Sequence, residues 1–342
     1  MTPLVENLLN LYIPLIGWTL LGWGIGKYVI GTILPKNISP YLGKGLFLFG
    51  VPISIIAFLR KTDLSGGIWI APLTAWIAIA VGAAFAWTWI DLGVSDERLR
   101  AIARGLNPAL EGPQNAVVST SSWSQPTQGS FMLAMMCGNT GYLGFPCVLG
   151  LVGEDYFGWA LFYDLLGSAI AVYVVGVALA SYFGSSDQQQ ESVLQRTLKA
   201  TRNNPAFWSL LFGLGFRYVP LPDTIETTLY NAAWMVVRIS LVLIGIKLSE
   251  LKTLGKLKKA STCLLIKMLL VPLVVGTGLM FFGVDGPPRL VMVLQMSMPP
   301  SFATLVIAQA YHLDQDLAVT SLALGSIILL FTLPIWVWLF GI

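Results

Sequence analysis

Cys137-Gly138-Asn139-Thr140-Gly141-Tyr142-Leu143-Gly144-Phe145-Pro146 interrupts an apolar stretch that runs from about 129 to 151. Three glycines, a proline and two polar side chains stand in the middle of a run otherwise long enough to cross a bilayer as one helix. Pro146 has no N–H to donate to the turn before it. A second stretch, Gln295-Met296-Ser297-Met298-Pro299-Pro300-Ser301-Phe302-Ala303-Thr304, does the same within 289–311. Its two prolines remove two donors, and Pro299 restricts Met298 to extended geometry. Backbone groups freed in lipid are costly unless they face protein or a water-filled cavity. Two such breaks in corresponding spans point to a transporter binding site.

The rest of the chain is built for lipid. Of 342 residues, 56% are hydrophobic and 11% charged, against about 25% charged in a soluble domain. That excludes a disordered protein, a nucleic-acid-binding domain and a conventional cytosolic enzyme. The net charge of +3 is too small to signal a polyanion partner. Cys137, Cys147 and Cys263 lie in apolar runs without paired spacing, which argues against disulfides and zinc. His312 is the only histidine, so no multi-histidine metal site is expected.

Hydropathy predicts ten membrane spans, at about 7–30, 41–59, 67–90, 129–151, 156–183, 205–219, 228–249, 260–283, 289–311 and 316–341. The first follows Glu6 and lacks a basic leader region, so it reads as a span rather than a signal peptide. Polar residues fill 92–128 and 184–204. About 95–105 reads as a surface helix, and Ser119 to Gln128 as part of a flexible loop. The segment 184–204 reads as a cytoplasmic connection between two five-span halves, 1–183 and 205–342. An odd number of spans per half turns the second copy upside down in the bilayer.

Lysine and arginine set the orientation. With the N-terminus outside, the cytoplasmic side holds Lys36 and Lys44; Arg98, Arg100 and Arg104; Arg196, Lys199 and Arg202; and Lys252, Lys256, Lys258 and Lys259. The outer side holds only Arg60, Lys61, Arg217 and Arg289. A multi-pass protein of the cell membrane with both termini outside is expected.

The halves echo each other. Met132 to Ile170 and Met292 to Ile328 share an apolar start, an interruption, an acidic connector and a following helix. The connectors are Glu154-Asp155 and Asp314-Gln315-Asp316, followed by Leu166-Gly167-Ser168 and Leu324-Gly325-Ser326.

Asn139-Thr140, followed by Gly144 and Pro146, resembles the span-four motif of the auxin efflux carrier family, which includes the plant PIN-formed carriers. Met298-Pro299, Tyr311, Asp314 and Leu333-Pro334 are similar to its second half. Val51-Pro52, Gly245 with Lys247-Leu248, and Lys267 with Pro272 add to the likeness. The resemblance covers essentially the whole chain. It implies an all-α membrane protein of ten transmembrane helices in two inverted five-helix repeats, related in fold to the bile acid/sodium symporters. Helices four and nine would be broken and would cross at their prolines. Family members move organic anions such as auxin or small carboxylates. This chain lacks the long central cytoplasmic loop of the plant carriers. It also has Pro300 where they commonly carry a polar residue. Both departures weaken the case for auxin.

A half-helix beginning in mid-membrane aims unsatisfied N–H groups and partial positive charge at the centre, which suits an anion. Asn139 offers an amide and Thr140 a hydroxyl, and Asn139 matches the family's anion-contacting position. Gly144 and Pro146 shape the first break. Ser297, Pro299, Pro300 and Ser301 are the counterparts in the second, with Gln295 one turn away. These groups read equally as caps for freed backbone. Ionisable residues inside spans are functional candidates. Asp164 could carry a proton or cation, or pair with a basic residue; Arg238 could meet Asp164 or the anion; Lys267 is the third. Asp91 reads as a solvated cap and His312 as interfacial. Met132, Met135, Met136, Met292, Met296 and Met298 read as a soft pocket or as packing. Gly22, Gly24 and Gly26 read as close helix packing.

The expected function is secondary transport of small organic anions by alternating access, with substrate bound where spans four and nine cross. No phosphate-binding loop is present to supply an ATP drive. Proton coupling through Asp164 and plain uniport both fit, and sodium coupling fits less well. The alternative is a gated anion channel or ligand-sensing receptor of the same fold. A membrane enzyme would need a nucleophile and base, or two facing aspartates, which His312 and Asp164 do not supply. The expected partners are the substrate and the lipid bilayer, and the resemblance adds a homodimer through a scaffold face. No cofactor, metal or nucleic acid is expected.

Overall fold

The computed structural model describes residues 3–35, 38–103, 123–184, 204–250 and 255–341, with Gln195 and Arg202, and their side chains except at 3–12, 95–103 and 173. Residues 104–122, most of 184–204, and the loop charges Lys36, Arg104, Arg196, Lys199 and Lys252 lie outside this description.

Among the described residues the chain is helical, with two isolated β-bridges and no strand. In chain order the helices are α1 (Pro3–Gly24, continued by a π-helical turn Ile25–Val29), α2 (Ile38–Lys61) and α3 (Ile70–Ala103). Then come α4 (Gln125–Met136), α5 (Thr140–Leu151), α6 (Glu154–Phe183) and α7 (Pro205–Phe216). The last five are α8 (Asp223–Ser249), α9 (Leu257–Phe281), α10 (Gly286–Met296), α11 (Phe302–Ala310) and α12 (Gln315–Phe340). Six of these, α2, α3, α6, α8, α9 and α12, are long and apolar enough to cross a membrane. The helix α1 carries Glu6, Asn7 and Asn10 and is not among the six. The spans expected at 129–151 and 289–311 are each split into two short helices, α4 with α5 and α10 with α11.

Residues 95–103 do not form a separate surface helix: α3 runs through them unbroken. No proline interrupts Asp96-Glu97-Arg98-Leu99-Arg100-Ala101, and most of these residues favour helix. Asp91 is therefore an exposed residue within α3 rather than its cap.

Prolines inside spans are accommodated by local widening. Pro52, Pro146 and Pro272 each stand two residues past the end of a π-helical turn, Leu46–Gly50, Thr140–Gly144 and Ile266–Leu270. A proline in a regular helix lacks its donor and clashes with the carbonyl four residues back; a wider turn relieves both.

Glycines bring two backbones together. A Cβ on Gly22 of α1 would lie 2.0 Å from the Val242 carbonyl oxygen of α8, and one on Gly245 would lie 1.9 Å from that of Thr19. Gly26 meets Ser249, whereas Gly24 faces open space, so two of the three expected glycines are packing positions.

The packing partners follow a pattern. The helix α1 lies along α8 and α2 along α7; α3 packs on α6 and α9 on α12; α3 also packs on α4, and α9 on α10. Polar contacts tie each end. At one, the Arg60 guanidinium donates to the Phe216 and Val219 carbonyls at 2.7 and 3.0 Å, and the Thr62 hydroxyl donates to the Glu154 carbonyl at 3.1 Å. At the other, Asp314 pairs with Lys256 and accepts from the Thr127 hydroxyl at 2.6 Å, while the Ser130 hydroxyl donates to the Asp314 carbonyl at 2.8 Å.

Candidate functional site

The two interruptions meet. The Asn139 N–H donates to the Pro299 carbonyl at 2.7 Å, and the Ser301 N–H donates to the Cys137 carbonyl at 3.1 Å. Gly138 and Pro300 thus form an antiparallel bridge between the breaks. Prolines can only accept, so Pro299 presents its carbonyl and Ser301 supplies the return donor. The pairing satisfies backbone groups that the broken helices release.

Beside the bridge lies a cavity of about 180 Å³ lined by Asn139, Thr140, Asp164, Ser168, Asn204 and Ser301, with apolar walls that include Phe47, Val51 and Phe302. The first residues of α5 and α11 open onto it. The N–H groups of a first helical turn have no partner within their own helix. Asn139 is only 4% exposed, and among the described residues its side-chain amide has no hydrogen-bond partner. The Thr140 hydroxyl donates to the Asp164 carboxylate, so its proton is directed there rather than toward a solute. The Ser301 hydroxyl oxygen accepts the Ala303 N–H at 3.2 Å and caps α11. The Asn204 side-chain oxygen caps α7 through the Ala206 N–H at 3.0 Å. No lysine, arginine or histidine lines this cavity among the described residues.

The other expected site residues stand elsewhere. Gly144 packs on Gln295, where a Cβ would fall 2.0 Å from Oε1. Gln295 is fully buried; its Nε2 donates to the Ala160 carbonyl at 3.4 Å and its Oε1 has no partner. Ser297 is buried with its hydroxyl on the Leu294 carbonyl at 2.8 Å, so it serves its own helix. Pro146 is in the core against a separate small void. Lys267 is 5% exposed and donates to the Met135 carbonyl at 3.3 Å; it faces a void of about 10 Å³ shared with Gln295. Among the described residues no carboxylate pairs with it. Arg238 is exposed on α8, away from the cavity, and makes no ion pair with Asp164. The six methionines are buried and none lines the cavity, so packing is their role.

Ser168, Asn204, Phe47 and Val51 were not expected at the site. Ser168 belongs to the repeated Leu-Gly-Ser signature, and Asn204-Pro205 is a helix-start signal. Neither signal says which cavity the residue faces.

A larger vestibule of about 790 Å³ adjoins the cavity, sharing Tyr142 and Phe302 with it. Its rim carries Ser39, the Lys247–Glu250 ion pair at 3.0 Å, Gln315 and Asp316. At the start of α6 the Glu154 carboxylate accepts from the Tyr230 hydroxyl and from the Trp234 ring N–H at 3.3 Å. The Lys61 ammonium covers the Tyr230 ring at 3.6 Å.

Apolar helices of membrane-spanning length and a polar break at their centre define a multi-pass membrane protein. Residues 116–337 match the family described as membrane transport protein, and the chain belongs to this family of transporters, the auxin efflux carrier family. An uncharacterised transporter of Methanocaldococcus jannaschii is 26% identical over 212 residues, 62% of this chain and 68% of its own. One from Methanothermobacter thermautotrophicus is 25% identical over 314 residues, 90% of this chain and 91% of its own.

Proposed function

We propose that the chain is a secondary transporter that carries small organic anions, small carboxylates or auxin-like acids, by alternating access, binding them at the crossing of the two broken spans. The observation that carries this reading is Asn139, a residue 4% exposed that lines the cavity, sits on a backbone bridge between the breaks and whose amide has no hydrogen-bond partner among the described residues. Two half-helix N-termini open onto the same space, and their N–H groups and dipoles favour a carboxylate. On this reading the site binds and releases its solute without bond-making chemistry.

Ten spans in two inverted repeats, 1–183 and 205–342, are part of the proposal, with 184–204 as the cytoplasmic connection. The matched partners support it: α1 on α8 corresponds to α7 on α2, and α3 on α6 to α9 on α12. With both termini outside the cell membrane, the vestibule opens to the cytoplasm and the Glu154 contacts close the outer side. Alternating access then requires those contacts to break while the vestibule collapses. Asp164, the one carboxylate among the described residues that line the cavity, is where a coupling proton or sodium ion would sit. A homodimer that covers α8 would shield the exposed Arg238, which is costly against lipid at mid-span.

Flux of labelled small carboxylates into proteoliposomes tests the reading. Uptake that saturates and is accelerated by carboxylate on the far side is expected. Flux that neither saturates nor shows trans-stimulation would instead support a channel.

A further inference from the structure

The charge balance of the cavity narrows the solute. An ionised Asp164 beside a purely anionic solute would repel it, and among the described residues no basic side chain lines the cavity to offset that repulsion. The buried Lys267 does not serve, because its ammonium is directed to the Met135 carbonyl at 3.3 Å and it does not line this cavity. The cavity therefore offers one place for negative charge and one for positive. The Asn139 amide and the first N–H groups of α5 suit a carboxylate. The Asp164 carboxylate, fixed by the Thr140 hydroxyl, suits an ammonium. Asn139 and Asp164 line the same cavity, and Thr140, which holds Asp164, is the residue next to Asn139. Phe47, Val51 and Phe302 leave an apolar wall for a side chain. A cavity of about 180 Å³ has room for a small solute.

We propose that the cavity takes a zwitterion, an α-amino acid with a small apolar side chain, whose ammonium binds Asp164 and whose carboxylate binds Asn139. This rests on the reading of the crossing as the solute site and names the cation at Asp164 as the solute's own amine.

The test is the thermal stability of the purified full chain with L-leucine, with 4-methylpentanoate (the same acid without its amine) and with isopentylamine (the same skeleton without its carboxylate). Wild type, Asp164→Asn and Asp164→Glu are compared, the last keeping the charge should the amide variant fold poorly. Leucine is expected to bind wild type at least about tenfold more tightly than either single-charge probe, as loss of a charged hydrogen bond implies. Asp164→Asn should erase the preference for leucine over 4-methylpentanoate, and Asp164→Glu should keep part of it. Wild type that binds 4-methylpentanoate as well as leucine would overturn the zwitterion and leave the carboxylate site standing. So would a preference that survives Asp164→Asn. If only isopentylamine binds, or no probe does, the zwitterion and the carboxylate site both fall.

Discussion

The backbone N–H of Asn139 donates to the carbonyl of Pro299 at 2.7 Å, joining two interruptions that lie in opposite halves of the chain. This bond fixes the Asn139 backbone, while its amide stays without a partner among the described residues. Structure and recognition are thus separated within one residue. Asn139→Ala should leave the unliganded protein within about 1 kcal/mol of wild type, since no protein hydrogen bond of its side chain is lost. Binding of whichever acid stabilises the wild type should weaken about tenfold or more. Ligand-induced shifts in melting temperature check both halves; an unchanged shift would remove Asn139 from the site.

Gly245→Ala should destabilise the packing of α1 on α8. The added Cβ would sit 1.9 Å from the Thr19 carbonyl oxygen, a backbone atom that cannot rotate away. A loss of about 1–3 kcal/mol is expected from overpacking. Gly24→Ala is the control, because nothing lies within 4 Å of its Cβ position and alanine is the better helix former by up to about 1 kcal/mol. Unfolding in detergent should lower the midpoint for the first variant and hold or raise it for the second.

Lys267 is a buried ammonium with no carboxylate partner among the described residues. Burying an unpaired charge is costly, and an apolar side chain of similar length avoids that cost. Lys267→Met should therefore raise the melting temperature. A fall would mean that the ammonium does more for the fold than its one bond to Met135.

Asp314 joins α4, α9 and α12. Burial opposes its charge, but Lys256, the Thr127 hydroxyl and the Leu317 N–H together hold its carboxyl below the usual carboxylate range. Its folded value is thus lower than its unfolded one. The stability it contributes is present above the unfolded value, about 4, and is lost as the pH falls through the folded value. Melting temperature should drop on acidification below about pH 4, less steeply in Asp314→Asn, which also starts lower at neutral pH. Parallel profiles for the two proteins would contradict this.

The Tyr230 hydroxyl on the Glu154 carboxylate ties α8 to the turn that begins α6. Tyr230→Phe keeps the ring and removes that bond. In a chain with its native cysteines replaced by serine, a Ser54→Cys probe on the neighbouring void should react faster with an impermeant thiol reagent from the Tyr230 side. Equal rates in the two backgrounds would show that this contact does not hold that side closed.

Hydropathy alone placed most helices within a few residues, because lipid demands long apolar runs whose backbone groups are satisfied internally; it ended the third span at 90, where α3 runs on to Ala103. The positions of both breaks were equally legible, since glycine and consecutive prolines cannot sustain a helix whatever surrounds them. Local sequence also implied close packing at Gly22, Gly24 and Gly26, and two of these, Gly22 and Gly26, meet a neighbouring helix. It could not say that the breaks would pair, because Asn139 and Pro299 are joined by a bond that has no local signature. Nor could it tell which face of each helix turns inward. Asp164 and Arg238 read alike as mid-span charges, yet packing turned one onto Thr140 at the cavity and left the other exposed. Gln295 and Ser297 lie as close to their break as Ser301, yet only Ser301 reaches the cavity. Composition and helix-breaking chemistry act residue by residue and are written in the chain. The rotation of each helix about its axis is set by the packing of all the helices together, and that alone decided which polar groups share one space.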